Sequence, residues 1–272
     1  MDRLVVLGTG AAGALRYYNT CFMLQGPQGG LLVDGGGGNG ILVQLSRADI
    51  PLLTLKDIFV THAHIDHSLG IIWIVRMVSS LFLREERSDI LRIHCHARLA
   101  EKLRSICQFT LSEKQFSPVG TSIRFVPAAD GEQRSIAGHT VTFFNTHARK
   151  AEQFGFHMES PDGQRIVCTG DEPCRPACTH YLEGADWLLH EAFCLDAEAS
   201  IFRPHLIGHG TVKEAALLAG KHRVRNLVLW HTEDRTPPEL RRERYEEEAR
   251  GAFRGGVYVP EDLEVIDLRK KP

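Results

Sequence analysis

Residues 59–70, FVTHAHIDHSLG, place three histidines and an aspartate within six positions directly after an apolar run. The chain holds 14 His and 14 Asp in 272 residues, so a given H-x-H-x-D-H window arises by chance with a probability of roughly 7 × 10⁻⁶, or about 0.002 over the whole length. Chance is a poor account. A solvated loop is equally well served by Ser, Asn or Gly, which want no further partner. Imidazole and carboxylate at this density point instead to a metal site, with His62, His64, Asp66 and His67 as its first candidates.

The rest of the chain is compatible with a soluble metalloenzyme. A length of 272 residues with 43% apolar content suits one large domain, or two intimate halves, with a sizeable core. The net charge of −2 gives no global basic field of the kind that draws nucleic acid. The run LGIIWIV at 69–75 stops at Arg76, and the start MDRLVVLGTGAAG lacks the cationic and long apolar regions of a leader. A cytoplasmic protein is expected, in agreement with seven cysteines that show no paired spacing. Cys174 and Cys178, in EPCRPACTH, read as free thiols, with a second metal site as the alternative.

Short runs rich in Val, Ile, Leu and Phe predict strands at RLVVLG, CFML, GLLVD, DIFVT, LRIHCH, IRFVPA, HTVTFFNTH, FGFHME, QRIVCTGD, DWLLHEA, NLVLWHTE and LEVIDL. Helical periodicity marks SLGIIWIVRMVSSLFLREE, ARLAEKLRSICQ, TVKEAALLAGKH and PPELRRERYEEEARGAF. The first of these is too apolar for an exposed helix and enters the core or an interface. The last is so heavily charged that it reads as a solvated outer helix. Strands arrive in runs before each helix and no linker divides the chain. The expected class is therefore α/β, with two mixed sheets packed together and helices outside.

Further His and Asp residues recur just after apolar strands: TFFNTH ends at His147, RIVCTGD at Asp171 and LVLWH at His231, while WLLHE presents His190 and Glu191. Strand ends on one rim can converge on a common cleft, whereas residues inside strands alternate between faces. The repeated placement carries more weight than any one residue.

These segments, with LGTGAA, LLVDGG, TGDEP, LLHEAF and LWHTED, resemble the metallo-β-lactamase superfamily almost end to end. LLHEAF followed by GHGTVKEAALLA is similar to its ribonuclease Z and phosphodiesterase branch. The resemblance implies a four-layer αββα sandwich, a single domain over 1–272 with pseudo-halves of roughly 1–145 and 146–272, and a homodimer. It assigns one metal to His62, His64 and His147, the other to Asp66, His67 and His231, with Asp171 bridging. Positions 62/64 and 66/67, on a loop leading into a helix, are able to face opposite sides of a small cleft. Imidazole and carboxylate ligands without thiolate favour two Zn²⁺, with Mn²⁺ or Fe also suited.

Two cations roughly 3.5–4 Å apart would make a water acidic near neutral pH and neutralise the substrate's oxygen, so the expected enzyme is a two-zinc hydrolase of phosphodiesters with a metal-bound hydroxide. The resemblance gives leaving-group protonation to His209 with Glu191 behind it, and Asp66 joins them as a residue of the chemistry. His209 in IGHGT is otherwise a helix cap. Asp34 is expected to fix the ligand loop by hydrogen bonds, and the glycines after it to let the backbone turn tightly. His94, His96 and His190 are expected to be structural, and His205 to line the mouth.

The sequence departs from the ribonuclease Z pattern in two places. Only 23 residues separate His147 from Asp171, too few for the arm with which members of that branch grip transfer RNA. GGGG at 35–38 also replaces a run that carries an acidic group. A small phosphodiester is thus expected as substrate, with RNA an alternative. Transfer-RNA 3′ processing, hydrolysis of a lactone, carboxylic or sulfate ester, and a non-catalytic nucleic-acid-binding or metal-sensing module are the competing functions. The last would be marked by a missing ligand.

Overall fold

The computed structural model describes residues 1–269. Two seven-stranded sheets lie face to face. The first is built from β1 (Arg3–Gly8), β2 (Cys21–Gly26), β3 (Gly29–Val33), β4 (Asp57–Phe59), β5 (Leu91–His96) and β6 (Ile123–Ala128). The second runs from β7 (Gln133–Ile136) and β8 (His139–Asn145) through β9 (Phe154–Glu159), β10 (Arg165–Cys168), β11 (Trp187–Glu191) and β12 (Asn226–Trp230) to β13 (Gly256–Tyr258). The chain then returns to the first sheet as β14 (Val265–Asp267), which pairs with β1. The order is β14-β1-β2-β3-β4-β5-β6 in one sheet and β13-β12-β11-β10-β9-β8-β7 in the other.

Each sheet is half antiparallel and half parallel. β1, β2 and β3 form antiparallel neighbours, after which β3, β4, β5 and β6 run parallel. β7 to β10 are antiparallel, and β10 to β13 parallel. The parallel steps need crossovers, and these run through helices, except that β10 reaches β11 through the 3-10 turns of Pro176–Leu182. On the first sheet the helices are α1 (Gly40–Arg47), α2 (Ile65–Leu83), α3 (Ala97–Thr110) and the single turn α4 (Glu113–Phe116). On the second they are the short α5 (Ala199–Phe202), then α6 (Val212–Lys221) and α7 (Pro238–Ala252).

Strands covered on both faces should be apolar without interruption, and side-chain alternation shows how that apolar content is divided. In β1, Leu4 and Val6 face the space between the sheets while Val5 and Leu7 face the helices. In β12, Val228 and Trp230 point inward and Leu227 and Leu229 lie under α6 and α7. The central layer is closed by aromatic contacts, Phe22 stacked on Trp230 at 4.6 Å and Phe59 against Phe143 at 5.1 Å. The result is an αββα sandwich.

α2 enters the core through Ile71, Ile74, Val75 and Val78. By length and composition it could cross a membrane, but half of its most apolar window is buried inside the fold. α7 is largely solvated, as its charge pattern predicts, yet it is anchored by Arg241, Tyr245 and Ala249 at i, i+4 and i+8. The buried Arg241 guanidinium lies 4.2 Å from the Tyr17 ring and pairs with Glu261.

The changeover between sheets falls between Ala128 and Gln133, earlier than a division near 145, so the β7–β8 hairpin belongs to the second sheet. Five elements escape the sequence pattern, among them the single-turn α4 and α5. β7 reads QRSI and buries only Ile136, β13 has three residues, and α1 is eight residues long without a side-chain cap.

Candidate active site

One rim of the sandwich collects the chemistry-bearing side chains. β4 ends at Phe59 and α2 begins at Ile65, so FVTHAHIDHSLG is a strand, a tight turn and the first turn of a helix. His62 and His64 lie on the turn, and Asp66 and His67 in the first helical turn. The junction is fixed by the glycine run. Gly35 donates its N–H to the His67 carbonyl at 2.8 Å, and Gly70 donates to the Gly36 carbonyl at 2.9 Å. A Cβ on Gly70 would lie 1.8 Å from the Gly35 oxygen, so only glycine lets the helix seat this closely.

From the second sheet, Asp171 follows β10, His209 lies in the loop before α6, and His231 follows β12. Among the described residues, ligand atoms of His62, His64 and Asp171 lie within 4.8 Å of one another, as do those of Asp66, His67 and His231 and those of Asp171, His209 and His231. Asp171 Oδ2 is the common neighbour, 3.3 Å from His62 Nε2, 3.6 Å from His67 Nε2 and 3.7 Å from His231 Nε2. A carboxylate among imidazoles of both groups is in position to bridge two cations.

The imidazoles are held from behind. Asp34 accepts from Thr61 N–H and Thr61 Oγ1–H, each at 2.8 Å, and from His67 Nδ1–H at 2.7 Å. Thr61 Oγ1 also meets His62 Nδ1 at 2.9 Å, and Thr20 Oγ1 meets His231 Nδ1 at 3.2 Å. With each Nδ1 occupied, Nε2 is the atom presented to the cleft, an arrangement typical of metal-binding histidine. Asp34 and His231 carry this out at φ 59° and 58°, left-handed conformations that non-glycine residues adopt sparingly and that collect at functional sites.

Two buried atoms test whether a metal suits this cleft. Among the described residues, His67 Nε2 and Asp171 Oδ1 have no hydrogen-bond partner, and leaving such atoms unsatisfied is costly. A divalent cation bound by nitrogen and oxygen donors would satisfy both. Charge agrees. Burial by itself would raise Asp171 and Asp66, yet His62 beside Asp171, and His67 beside Asp66, hold both carboxyls below the usual carboxylate range. Burial would lower His67, but Asp34, Asp171 and Asp66 push it well above its ordinary value. His231 is carried down to about 3 by burial, against the pull of Asp171. Carboxylates this deeply buried demand positive charge, and residues that bind a divalent metal supply the place for it.

His209 and Glu191 come together as the sequence suggests. Glu191 is fully buried; its Oε1 accepts from Gly210 N–H at 2.7 Å and its Oε2 lies 3.7 Å from His209 Nδ1. His209 Nδ1–H donates to the Asp171 carbonyl at 2.8 Å, and Phe193 stacks on the ring at 5.2 Å. Burial would lower His209, but the carboxylate of Glu191 beside it outweighs that and raises the imidazole above its ordinary value. The alternative of a helix cap is corrected: Thr211 caps α6 and forms a capping box with Glu214.

His147 is not brought into the cluster. It is exposed, belongs to none of the ligand groups among the described residues, and sits two residues past β8 at φ 54° with its backbone N–H held by Asn145 Oδ1 at 2.8 Å. His94 is buried and joins Asp57, at 2.9 Å, to Arg134 of the other sheet. His190 is structural, its Nδ1–H donating to the Glu191 carbonyl at 2.6 Å. His205 pairs with Glu214 at 2.9 Å rather than lining the cleft. Cys174 and Cys178 are free thiols that burial pushes up to about 12 and about 11. The sequence reading missed Thr20 and Thr61, for which isolated threonines gave no signal, and Lys150, which lines the cleft but stands in a basic stretch that resembles an ordinary surface.

Comparison with known proteins identifies the family. The chain is 28% identical to a ribonuclease Z of Bradyrhizobium diazoefficiens over 88% of its own length and 92% of that protein's. It is also 28% identical to a ribonuclease Z of Streptomyces avermitilis over 98% of both. The fold matches the metallo-β-lactamase fold protein YhfI of Bacillus subtilis at TM-score 0.77 and 19% identity, covering 97% and 98% of the two chains. It matches the short form of human tRNase Z at TM-score 0.73 and 23% identity, covering 98% of this chain and 100% of that one. Between His147 and Asp171 the chain holds the β9–β10 hairpin. The profile of the Anti-Pycsar protein Apyc1 matches residues 2–243, and the chain belongs to that family, on the ribonuclease Z-like branch of the metallo-β-lactamase superfamily.

Proposed function

We propose that this chain, a metal-dependent hydrolase, binds two zinc ions and cleaves a small phosphodiester. The observation that carries the reading is the convergence of His62, His64, Asp66, His67, Asp171 and His231 around buried, unpartnered donor atoms. His62 and His64 would hold one ion, Asp66, His67 and His231 the other, and Asp171 both. Bound there, the ions supply an activated water and a Lewis acid for the phosphoryl oxygen.

The chain's own residues supply the rest. Asp34 and Thr61 keep the ligand loop and the His67 ring in place. His209 keeps Nδ1–H on the Asp171 carbonyl, so Nε2 is the atom that faces substrate and, when protonated, hands its proton to the departing oxygen. Glu191 favours that protonated form. A poor alkoxide leaving group needs such an acid, which supports a phosphodiester over an activated carboxylic or sulfate ester. His147 enters this reading only through the resemblance.

The small size of the substrate is supported by the absence of an arm on the β9–β10 hairpin, and a cytoplasmic setting by the free cysteines. We read the protein as a homodimer because Leu15 and Ile65 are 94% and 67% exposed, large apolar surfaces that association would cover. Light scattering tests that.

The functional test measures hydrolysis of a dialkyl phosphodiester, whose alkoxide needs a proton to leave, by the zinc-loaded protein beside a sulfate and a carboxylic ester, with His209→Ala in the same series. Preference for the phosphodiester that collapses in the variant supports the reading. Faster turnover of another ester, indifferent to His209, overturns it.

A further inference from the structure

Among the described residues, Lys150 is the single permanent cation lining the metal cleft, and its surroundings are arranged to keep it there. Lys150 Nζ lies 3.3 Å from His209 Nε2. An ammonium is a donor only. His209 commits Nδ1–H to a backbone carbonyl, an acceptor only, so Nε2 is the sole ring atom turned to the lysine. The two nitrogens therefore meet at one point of the cleft, where an anionic oxygen would accept from the ammonium and, from a protonated imidazole, from Nε2–H as well.

The lysine is positioned by buried structure. Glu172, next in sequence to Asp171 and only 3% exposed, accepts from Arg149 N–H at 2.9 Å and from Lys150 N–H at 3.1 Å. Its carboxylate is held in turn by Arg175 at 3.3 Å. The segment that delivers Asp171 thus also fixes the backbone of Lys150. On the other side the lysine stem crosses Gly208, where a Cβ would lie 2.3 Å from Lys150 Cε. Gly208 also has φ 72°, so the residue before His209 is glycine for two reasons.

We propose that Lys150 is a substrate-binding residue that grips a non-bridging phosphoryl oxygen of the phosphodiester beside His209, with Glu172 as the positioning residue that holds it over the cleft. The proposal rests on the phosphodiester reading of the same site. A charged ammonium recognises the anionic diester and gives little to a neutral ester, so the residue determines specificity for charge.

Inorganic phosphate is titrated calorimetrically into the zinc-loaded wild type, Lys150→Met, Lys150→Arg and Glu172→Gln. Steady-state kinetics on bis(p-nitrophenyl) phosphate and p-nitrophenyl acetate accompany the titration. Lys150→Met is expected to weaken phosphate binding about tenfold or more, the loss of one charge-assisted contact. It should raise KM for the diester more than it lowers kcat, and cut the ratio of diester to acetate efficiency about tenfold. Lys150→Arg should restore most of the binding, and Glu172→Gln should fall between, again in KM. Phosphate affinity in Lys150→Met within twofold of wild type overturns the proposal, as does an equal loss on both esters. A wild type that binds phosphate through Lys150 yet turns over no diester would sink the hydrolase reading and leave the anion site standing.

Discussion

From the first sheet, the turn between β4 and α2 brings His62, His64, Asp66 and His67 to the cleft within six residues, whereas the second sheet brings Asp171, His209 and His231 from three separate loops. The first group is set by local geometry: a strand end, a tight turn and a helix N-terminus pressed onto Gly35 and Gly36. The second is set by topology, because only the parallel order of β10, β11 and β12 makes their ends neighbours. The difference teaches that the first group should survive damage to the other sheet, while Asp171, shared by both, should not be dispensable to either.

Asp171→Ala sharpens that contrast most. Loss of a carboxylate that touches His62, His67 and His231 should remove metal from both positions and lower kcat/KM by about 10³-fold or more, since the activated water it supports is worth several kcal/mol. His62→Ala should lose about one equivalent of metal, not two. Metal content measured on both variants decides the matter, and an Asp171→Ala protein that keeps two equivalents would break the bridging assignment.

His209→Ala ought to keep its metals and lose about 10²–10⁴ in kcat on a phosphodiester, the span of general acid catalysis. The sign of its pH effect follows from Glu191. Because the imidazole is raised above 6.5, its acid form persists at higher pH, and activity should decline on the alkaline side only above that value. Glu191→Gln removes the supporting charge and should move that alkaline limb toward lower pH. A limb that stays in place in Glu191→Gln would separate the pair.

A third test probes the support behind the first group. Asp34→Asn leaves shape intact but weakens the hold on His67 Nδ1–H and Thr61, and should cost about 10–100-fold in metal affinity. Chelator competition reads this directly, and an unchanged affinity would mean that the loop is set by its glycine contacts alone.

The legibility of the fold follows the same division. β1, β5 and β9 have the bounds their apolar runs predict, because strands buried along most of their length carry the signal in nearly every residue. β7 and β13 do not, since an edge strand exposes most of what it has and three residues make no period. In the site, His62, His64, Asp66 and His67 announce themselves by density, and Asp171 and His231 by following apolar strands. Lys150, Glu172, Thr20 and Thr61 had no such mark. Their importance arises from long-range contacts, 59 positions apart for Lys150 and His209 and 211 for Thr20 and His231.

His147 is where the two groups conflict. Resemblance makes it the third ligand of the His62 and His64 position, and its place just past β8 is that of the other strand-end residues. The structure leaves it exposed, outside the cluster, on a left-handed turn fixed by Asn145. An exposed side chain without partners among the described residues is worth no more than about 0.5 kcal/mol, which is about twofold in rate. His147→Ala should therefore retain two equivalents of metal and wild-type kcat/KM within about that factor. If the variant instead loses one equivalent, the turn at 145–147 must swing inward when metal binds, and the first metal position would take a second residue from the second sheet besides Asp171. That result would narrow the contrast between a locally built group and a topologically assembled one, since the His62 and His64 position would then lean on the second sheet for more than the shared Asp171.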